Sequence, residues 1–246
     1  MARNTKNIYP DKSVERILVI AGRIPFVLTI MAFLLIIAGA LSYYIHFMKG
    51  IKQGGWIYRL FFLGGEWNIP TYFSVILLLG AFALLLFIST AEKKRKSAYL
   101  LHWRVLTGGF LLMAADELLY FHEKLGLFLH ELIKCESYGL FYYIWVIVAI
   151  PIVILLAVFF TRFIWNLPGR TRIIFVVSGI VYLTGAVGFE MLGGCQAEKS
   201  GALNLTYLLF ETIEESLEMF GVIFFIYGLL DYIQTYCLDD FRPLLK

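Results

Sequence analysis

Apolar runs such as FVLTIMAFLLIIAGAL at residues 26–41 leave this chain one solvent in which to fold. A helix of about 20 apolar residues matches the hydrocarbon core of a bilayer and satisfies its own backbone hydrogen bonds there. Six such stretches occur, at 24–48, 71–91, 98–120, 140–163, 171–192 and 208–236. A transmembrane barrel needs alternating strands of about ten residues, and the unbroken runs reject it. The connections are short, and 60% of the 246 residues are hydrophobic against 16% charged, so no separate soluble domain fits. The expected fold is an all-α integral membrane protein, a single six-helix transmembrane domain over residues 1–246.

The first 23 residues carry charges along their whole length, with no short apolar core before a small-residue cleavage site. They do not read as a signal peptide, and the first span is expected to be an uncleaved anchor. Val14, Ile17, Leu18 and Ala21 recur at helical spacing, with Arg16 and Arg23 elsewhere on the wheel. That pattern predicts a short interfacial helix over 12–23.

Basic residues set the orientation. With six spans both termini share one side, and most of the 21 Lys and Arg fall there, including Lys93 to Lys96, Arg162, Arg170 and Arg172. Only Lys49, Lys52, Arg59, Lys124, Lys134 and Lys199 fall opposite. The positive-inside rule then predicts cytoplasmic termini in an inner (plasma) membrane, with the other face toward the periplasm or exterior. The net charge of +3 is a topology signal, and nothing else supports nucleic-acid binding. Cys135 and Cys195 both fall on the outer side, where an oxidising compartment permits a disulfide between them or leaves two thiols.

Two connections stand out. The segment IKQGGWIYRLFFLGGEWNIPT is too apolar for a solvated loop and is expected in the interface, with Trp56, Tyr58 and Trp67 at headgroup level. Asn68, Pro70 and Thr71 form a helix-start signal for the second span. In the third-to-fourth connection, Leu125, Phe128, Leu129 and Leu132 predict a short amphipathic helix with His130 and Glu131 facing water.

The informative residues are acidic. Glu211, Glu214, Glu215 and Glu218 crowd the start of the last span, and Asp116, Glu117, His122 and Glu123 crowd the end of the third. Counting about 1.5 Å per residue from Arg172 puts Glu190 near the same outer boundary. Three distant segments thus bring acids to one height, where ionisable groups are costly and mark functional sites. Around the helix Glu211, Glu215 and Glu218 share a stripe, with Glu214 beside it. Asp116, Tyr120 and Glu123 share another, and a regular helix would point His122 away from Asp116. Glu117 and Glu214 are expected to face water.

Two carboxylates 4 Å apart repel by about 4 kcal/mol at an effective dielectric near 20. Protons, water or a multivalent cation must settle such a cluster. A divalent metal ion held by oxygen ligands does so most completely. The expected ligands or their direct partners are Asp116, Glu123, Glu211, Glu215 and Glu218, with Glu190 and His122 completing or orienting the set. No Glu-x-x-His and no His-Glu-x-x-His occurs, which removes the usual di-iron and zinc-protease helices. The glycine pairs Gly108-Gly109 and Gly193-Gly194, with Gly221, are expected to permit close helix packing.

Three segments carry a resemblance: GEWNIPTYFSVILLLGAFALLL, ADELLYFHEKLG and TIEESLEMFGVIFFIYGLL. They resemble an uncharacterised family of bacterial six-span membrane proteins. Its recurring elements are Asn-Ile-Pro-Thr, Asp-Glu-x4-His-Glu and Glu-Glu-x2-Glu-Met-x-Gly, here at Asn68 to Thr71, Asp116 to Glu123 and Glu214 to Gly221. Ala114 stands where family members often carry a serine. The resemblance implies bacterial origin and six spans and supplies no reaction.

Three functional readings stay open. One is an outward-facing carboxylate site for a divalent cation, serving transport. Another is a metal-dependent membrane enzyme acting on a lipid or small substrate at the outer face. The third is a non-catalytic subunit that docks a partner, in a homo- or hetero-oligomer within the bilayer.

Overall fold

The computed structural model describes residues 12–49, 55–134, 137–202 and 204–237, with side chains of the first helix described from 22 to 45. Among these the chain is helical and forms no strand. In order come α1 (Lys12–Lys49), α2 (Trp56–Phe61), α3 (Ile69–Lys94), α4 (Leu100–Leu119) and α5 (Phe121–Leu132). They are followed by α6 (Val146–Asn166), α7 (Gly169–Leu183), α8 (Glu190–Ser200) and α9 (Leu205–Tyr232). A π-helical turn, Thr184–Phe189, joins α7 to α8 without a break in the rod.

Five helical stretches are long and apolar enough to cross a membrane: Gly22–Ile45, Ile69–Lys94, Val146–Asn166, Gly169–Ser200 and Leu205–Cys237. The third expected span, α4, has 20 residues but holds Arg104, Asp116 and Glu117, and it does not qualify by composition. The expected separate interfacial helix over 12–23 continues into the first span through Pro25 as one helix. The span expected from 140 starts later, at Val146, because residues 137–145 turn instead. The Glu198 carboxylate holds that turn, accepting from Tyr138 N at 2.7 Å, Gly139 N at 2.8 Å and Ser137 Oγ at 3.1 Å.

Helix α9 is the centre of the packing. Of its apolar window 61% is buried, against 6% for α6, whose Ile152, Leu155 and Val158 stay exposed as lipid contact would require. In lipid, packing rather than transfer from water holds helices together, so small residues mark the close seams. A Cβ on Gly221 would fall 2.8 Å from Tyr182 N, and one on Gly185 would fall 2.7 Å from Glu214 O. The α7–α9 seam therefore depends on glycine. Gly108 and Gly109 face open space instead, so the expected packing role falls to Gly221 and not to that pair. Leu77, Leu85, Ile88, Trp103, Met219, Ile223 and Leu229 fill the core between α3, α4, α7 and α9.

The alternation of helices gives two unlike ends. At one, α4 and the α7 rod finish while α3, α6 and α9 begin. At the other, α3, α6 and α9 finish beside the basic turn Lys93 to Lys96.

Candidate functional site

The loop before α3 is tied down by the Asn-Ile-Pro-Thr motif. Asn68 caps the helix, its Oδ1 accepting from Thr71 N at 3.0 Å, while its Nδ2 donates to Phe62 O. Thr71 Oγ1 donates to Gly65 O at 3.0 Å. These bonds satisfy the free donors of a helix start and fix the loop that carries Gly64 and Glu66. The Glu211 carboxyl rests on Gly64, where a Cβ would come within 2.4 Å of it.

Helix α4 stops at Tyr120, whose φ of 54° and ψ of 47° are left-handed. Tyr120 N donates to Asp116 O at 2.6 Å, the closing bond of that cap. The tyrosine is held there by its hydroxyl, which accepts from Trp67 N at 3.0 Å. The break reverses one sequence expectation. A regular helix would point His122 away from Asp116. After the left-handed residue, His122 N donates to Asp116 Oδ1 at 2.9 Å, and Nδ1 lies 2.7 Å from Oδ2.

These local structures open onto one cavity of about 620 Å³. Asp116 and Glu117 reach it from α4, His122 and Glu123 from α5, and Glu190 from the start of α8. Glu211, Glu214, Glu215 and Glu218 reach it from α9. The structure thus brings together every acidic site residue expected from the sequence. Glu117 and Glu214, expected to face water, line the cavity with the other acids, and Glu214 is 9% exposed beside Gly185. His130 also lines it, its Nε2 within 2.9 Å of Tyr142 O, instead of facing solvent. Glu131 is exposed as expected.

Aromatic residues supply the other polar contacts. Trp145 Nε1 donates to Glu190 Oε1 at 2.9 Å. The Tyr207 hydroxyl donates to Glu211 Oε1 at 2.7 Å and lies 2.8 Å from the Tyr143 hydroxyl. Glu211 Oε2 is buried with no hydrogen bond. Glu190 and Glu214 are close neighbours that influence each other's charge, as are Glu66 and Glu123. Paired carboxyls can bond only through a shared proton or a bridging cation.

Among the described residues, no Lys or Arg lines the cavity. For His122, burial opposes the charged form, but the hydrogen bond and charge of Asp116 outweigh it, with Glu190 and Glu123 adding to the pull. Its pKa is raised to about 9, so the imidazole is a cation at neutral pH. Glu123 is shifted up by burial and then by the charge of Glu66. Nine carboxyl groups thus share the cavity with this imidazolium.

Among the described residues, no group of three or more His, Cys, Asp or Glu side chains is placed to hold a metal ion. The acids lie around a chamber instead of converging on a point. Cys195 is half-buried on α8, and its expected disulfide partner, Cys135, lies outside the described residues. At the opposite end of the bundle Asp231 pairs with Arg170 at 3.3 Å.

Glu66, Trp145, Tyr143, Tyr182 and Tyr207 line the cavity and were not expected from the sequence. One signal was available: Tyr207 precedes Glu211 by four residues, one turn away on the same helical face. Glu66 lies two residues before the Asn68 cap, in a loop whose tryptophans spoke only for the interface.

The three motifs now have physical roles. Asn68 and Thr71 anchor the cavity's loop, Asp116 to Glu123 folds back on itself, and the α9 motif sends acids to the cavity, Met219 to the core and Gly221 to the seam. No curated protein and no solved structure matches the chain significantly. A family model described as a domain of unknown function, DUF8692, matches residues 27–232. With most of its length covered, the chain belongs to the DUF8692 family.

Proposed function

We propose that this protein is a six-span membrane protein, both termini cytoplasmic, that captures a cation from the outer side in its acidic cavity. Helix α4 is the sixth span, its charges tolerable because Asp116 and Glu117 sit at the cavity and Arg104 lies near the opposite boundary. The basic turn Lys93 to Lys96 and Arg170 then face the cytoplasm. The observation that carries the reading is charge: nine carboxyl side chains from four helices and one loop share a chamber with His122 as their charged base. At about 4 kcal/mol per close pair, that arrangement is unstable without protons or an external cation. The occupant is a divalent metal ion or an organic amine, and capture serves uptake or sensing.

The enzyme reading draws on the Asp116–His122 pair, which has the geometry of an oriented general base. An imidazole whose pKa is about 9 is protonated at pH 7 and makes a poor base there.

The test is thermal melting of the purified protein with calcium, manganese and amine chlorides, for wild type, Glu215→Gln and Asp116→Asn. At least one cation should raise the wild-type midpoint in a saturable way, with at least a tenfold weaker response in both variants. Equal responses to every salt at matched ionic strength, unchanged by the variants, would overturn the proposal.

A further inference from the structure

Resting on the cation-capture reading, we infer that the occupant is a linear organic amine with two or more ammonium groups, bound between aromatic walls, and not a bare metal ion.

Size is the first argument. A cavity of about 620 Å³ would hold about 20 waters at ~30 Å³ each, far more than one ion and its shell need. It falls within the range typical of small-molecule sites, ~300–1,000 Å³. Dispersion of the acids is the second. Metal ions need several donors at ~2.0–2.6 Å from one point, and among the described residues no three acidic or His side chains are so placed. A chain with ammonium groups at intervals matches carboxylates spread along a chamber, each group engaging its own acid.

The walls are the third argument. Trp145, Tyr143, Tyr182 and Tyr207 line the same chamber. A metal ion gains little from such rings, whereas an ammonium is attracted to an aromatic face and the methylenes between ammoniums gain apolar contact. Trp145 is held for this use, its Nε1 tied to Glu190.

An unmet acceptor is the independent sign of a ligand. Glu211 Oε2 is buried in the cavity wall with no hydrogen bond, while its Oε1 is taken by Tyr207. A buried acceptor left alone is costly, so the Glu211 carboxyl gains by turning Oε2 into the chamber it lines, where an ammonium N–H supplies the missing donor. Glu215 lies one turn further along the same helical face and lines the same cavity. Glu211 and Glu215 thus form adjacent anchor points for the charged groups.

Calorimetry on the detergent-purified full chain would compare 1,4-diaminobutane, spermidine, butylamine, calcium and manganese at fixed ionic strength. The diamine should bind at least tenfold more tightly than the monoamine, and spermidine more tightly than either divalent metal. Glu211→Gln should weaken spermidine at least tenfold. Trp145→Leu should weaken it several-fold, and Trp145→Phe, which keeps a ring, should weaken it less. Glu92→Gln, at the other end of the bundle, serves as a control for folding and should leave affinity unchanged. Tight metal binding with no amine binding would overturn this inference and leave cation capture standing. No binding of any probe by folded protein would overturn both.

Discussion

The two ends of the bundle treat buried acids in opposite ways. At the basic end, among the described residues, the buried Glu92 and the partly buried Asp231 each have an arginine beside them. Glu92, 6% exposed, lies 3.5 Å from Arg95 Nη1 and accepts from the Tyr232 hydroxyl at 3.2 Å, and Asp231 lies 3.3 Å from Arg170 Nε. At the cavity end nine acids face one charged imidazole, with no Lys or Arg among the lining residues. An acid with a built-in counter-charge belongs to the structure. An acid without one is a demand on something outside the chain. Under the proposed function, the first group serves assembly and the second a ligand.

Breaking the pair at the basic end should have the larger effect on stability. Glu92→Gln removes the charge facing Arg95 while keeping the shape and an acceptor for Tyr232. The expected loss is about 2 kcal/mol, within the range for a hydrogen bond to a charged partner. A lower melting midpoint with unchanged cation response is the expected result. A stabilised Glu92→Gln would mean that this end, too, holds an acid in excess.

At the cavity end the same chemical change should act with the opposite sign. Glu214→Gln removes one charge from a buried cluster next to Glu190. In protein stripped of multivalent cations, the expected result is a gain of about 1 kcal/mol, since one repulsive contact disappears. Saturating ligand should reverse the order and make wild type the more stable protein. Destabilisation of Glu214→Gln in both conditions would show that the shared proton with Glu190 is a structural bond, and the contrast between the ends would weaken.

Much of this plan could be read from residue order, because the bilayer restricts spanning segments to a few forms. Apolar length placed the helices to within a few residues at most ends, and Asn68-Ile69-Pro70 marked the start of α3. The convergence of Asp116, Glu123, Glu190 and the α9 glutamates followed from height alone, since antiparallel helices bring their ends to shared levels. Direction around the helix was less legible. Periodicity assumes a regular helix, and the left-handed Tyr120 and the π turn at Thr184–Phe189 both reset the phase. His122 was misdirected for that reason, and Glu117 and Glu214 were sent toward water because a wheel does not show what packs on its flank. The glycine at position 185 buries Glu214, and only the tertiary fold reveals the neighbour it admits.

The smallest effect expected is a slope in pH, and it isolates the one counter-charge the cavity owns. His122 has its pKa raised from 6.5 to about 9 in the folded chain. The folded state therefore binds more protons than the unfolded state across that interval, and stability falls as pH rises. The contribution of His122 is complete below about pH 6.5 and is lost as pH passes about 9. Melting midpoints of cation-free protein should decline over this window, and His122→Gln should flatten the decline. Asp116→Asn should flatten it in part, because Glu190 and Glu123 still favour the imidazolium. A slope unaffected by His122→Gln would mean that the acids themselves titrate through the window and that the histidine is not the cavity's internal cation. The basic end offers the matching control: arginine does not titrate here, so Glu92→Gln should lower the whole curve and leave its slope unchanged.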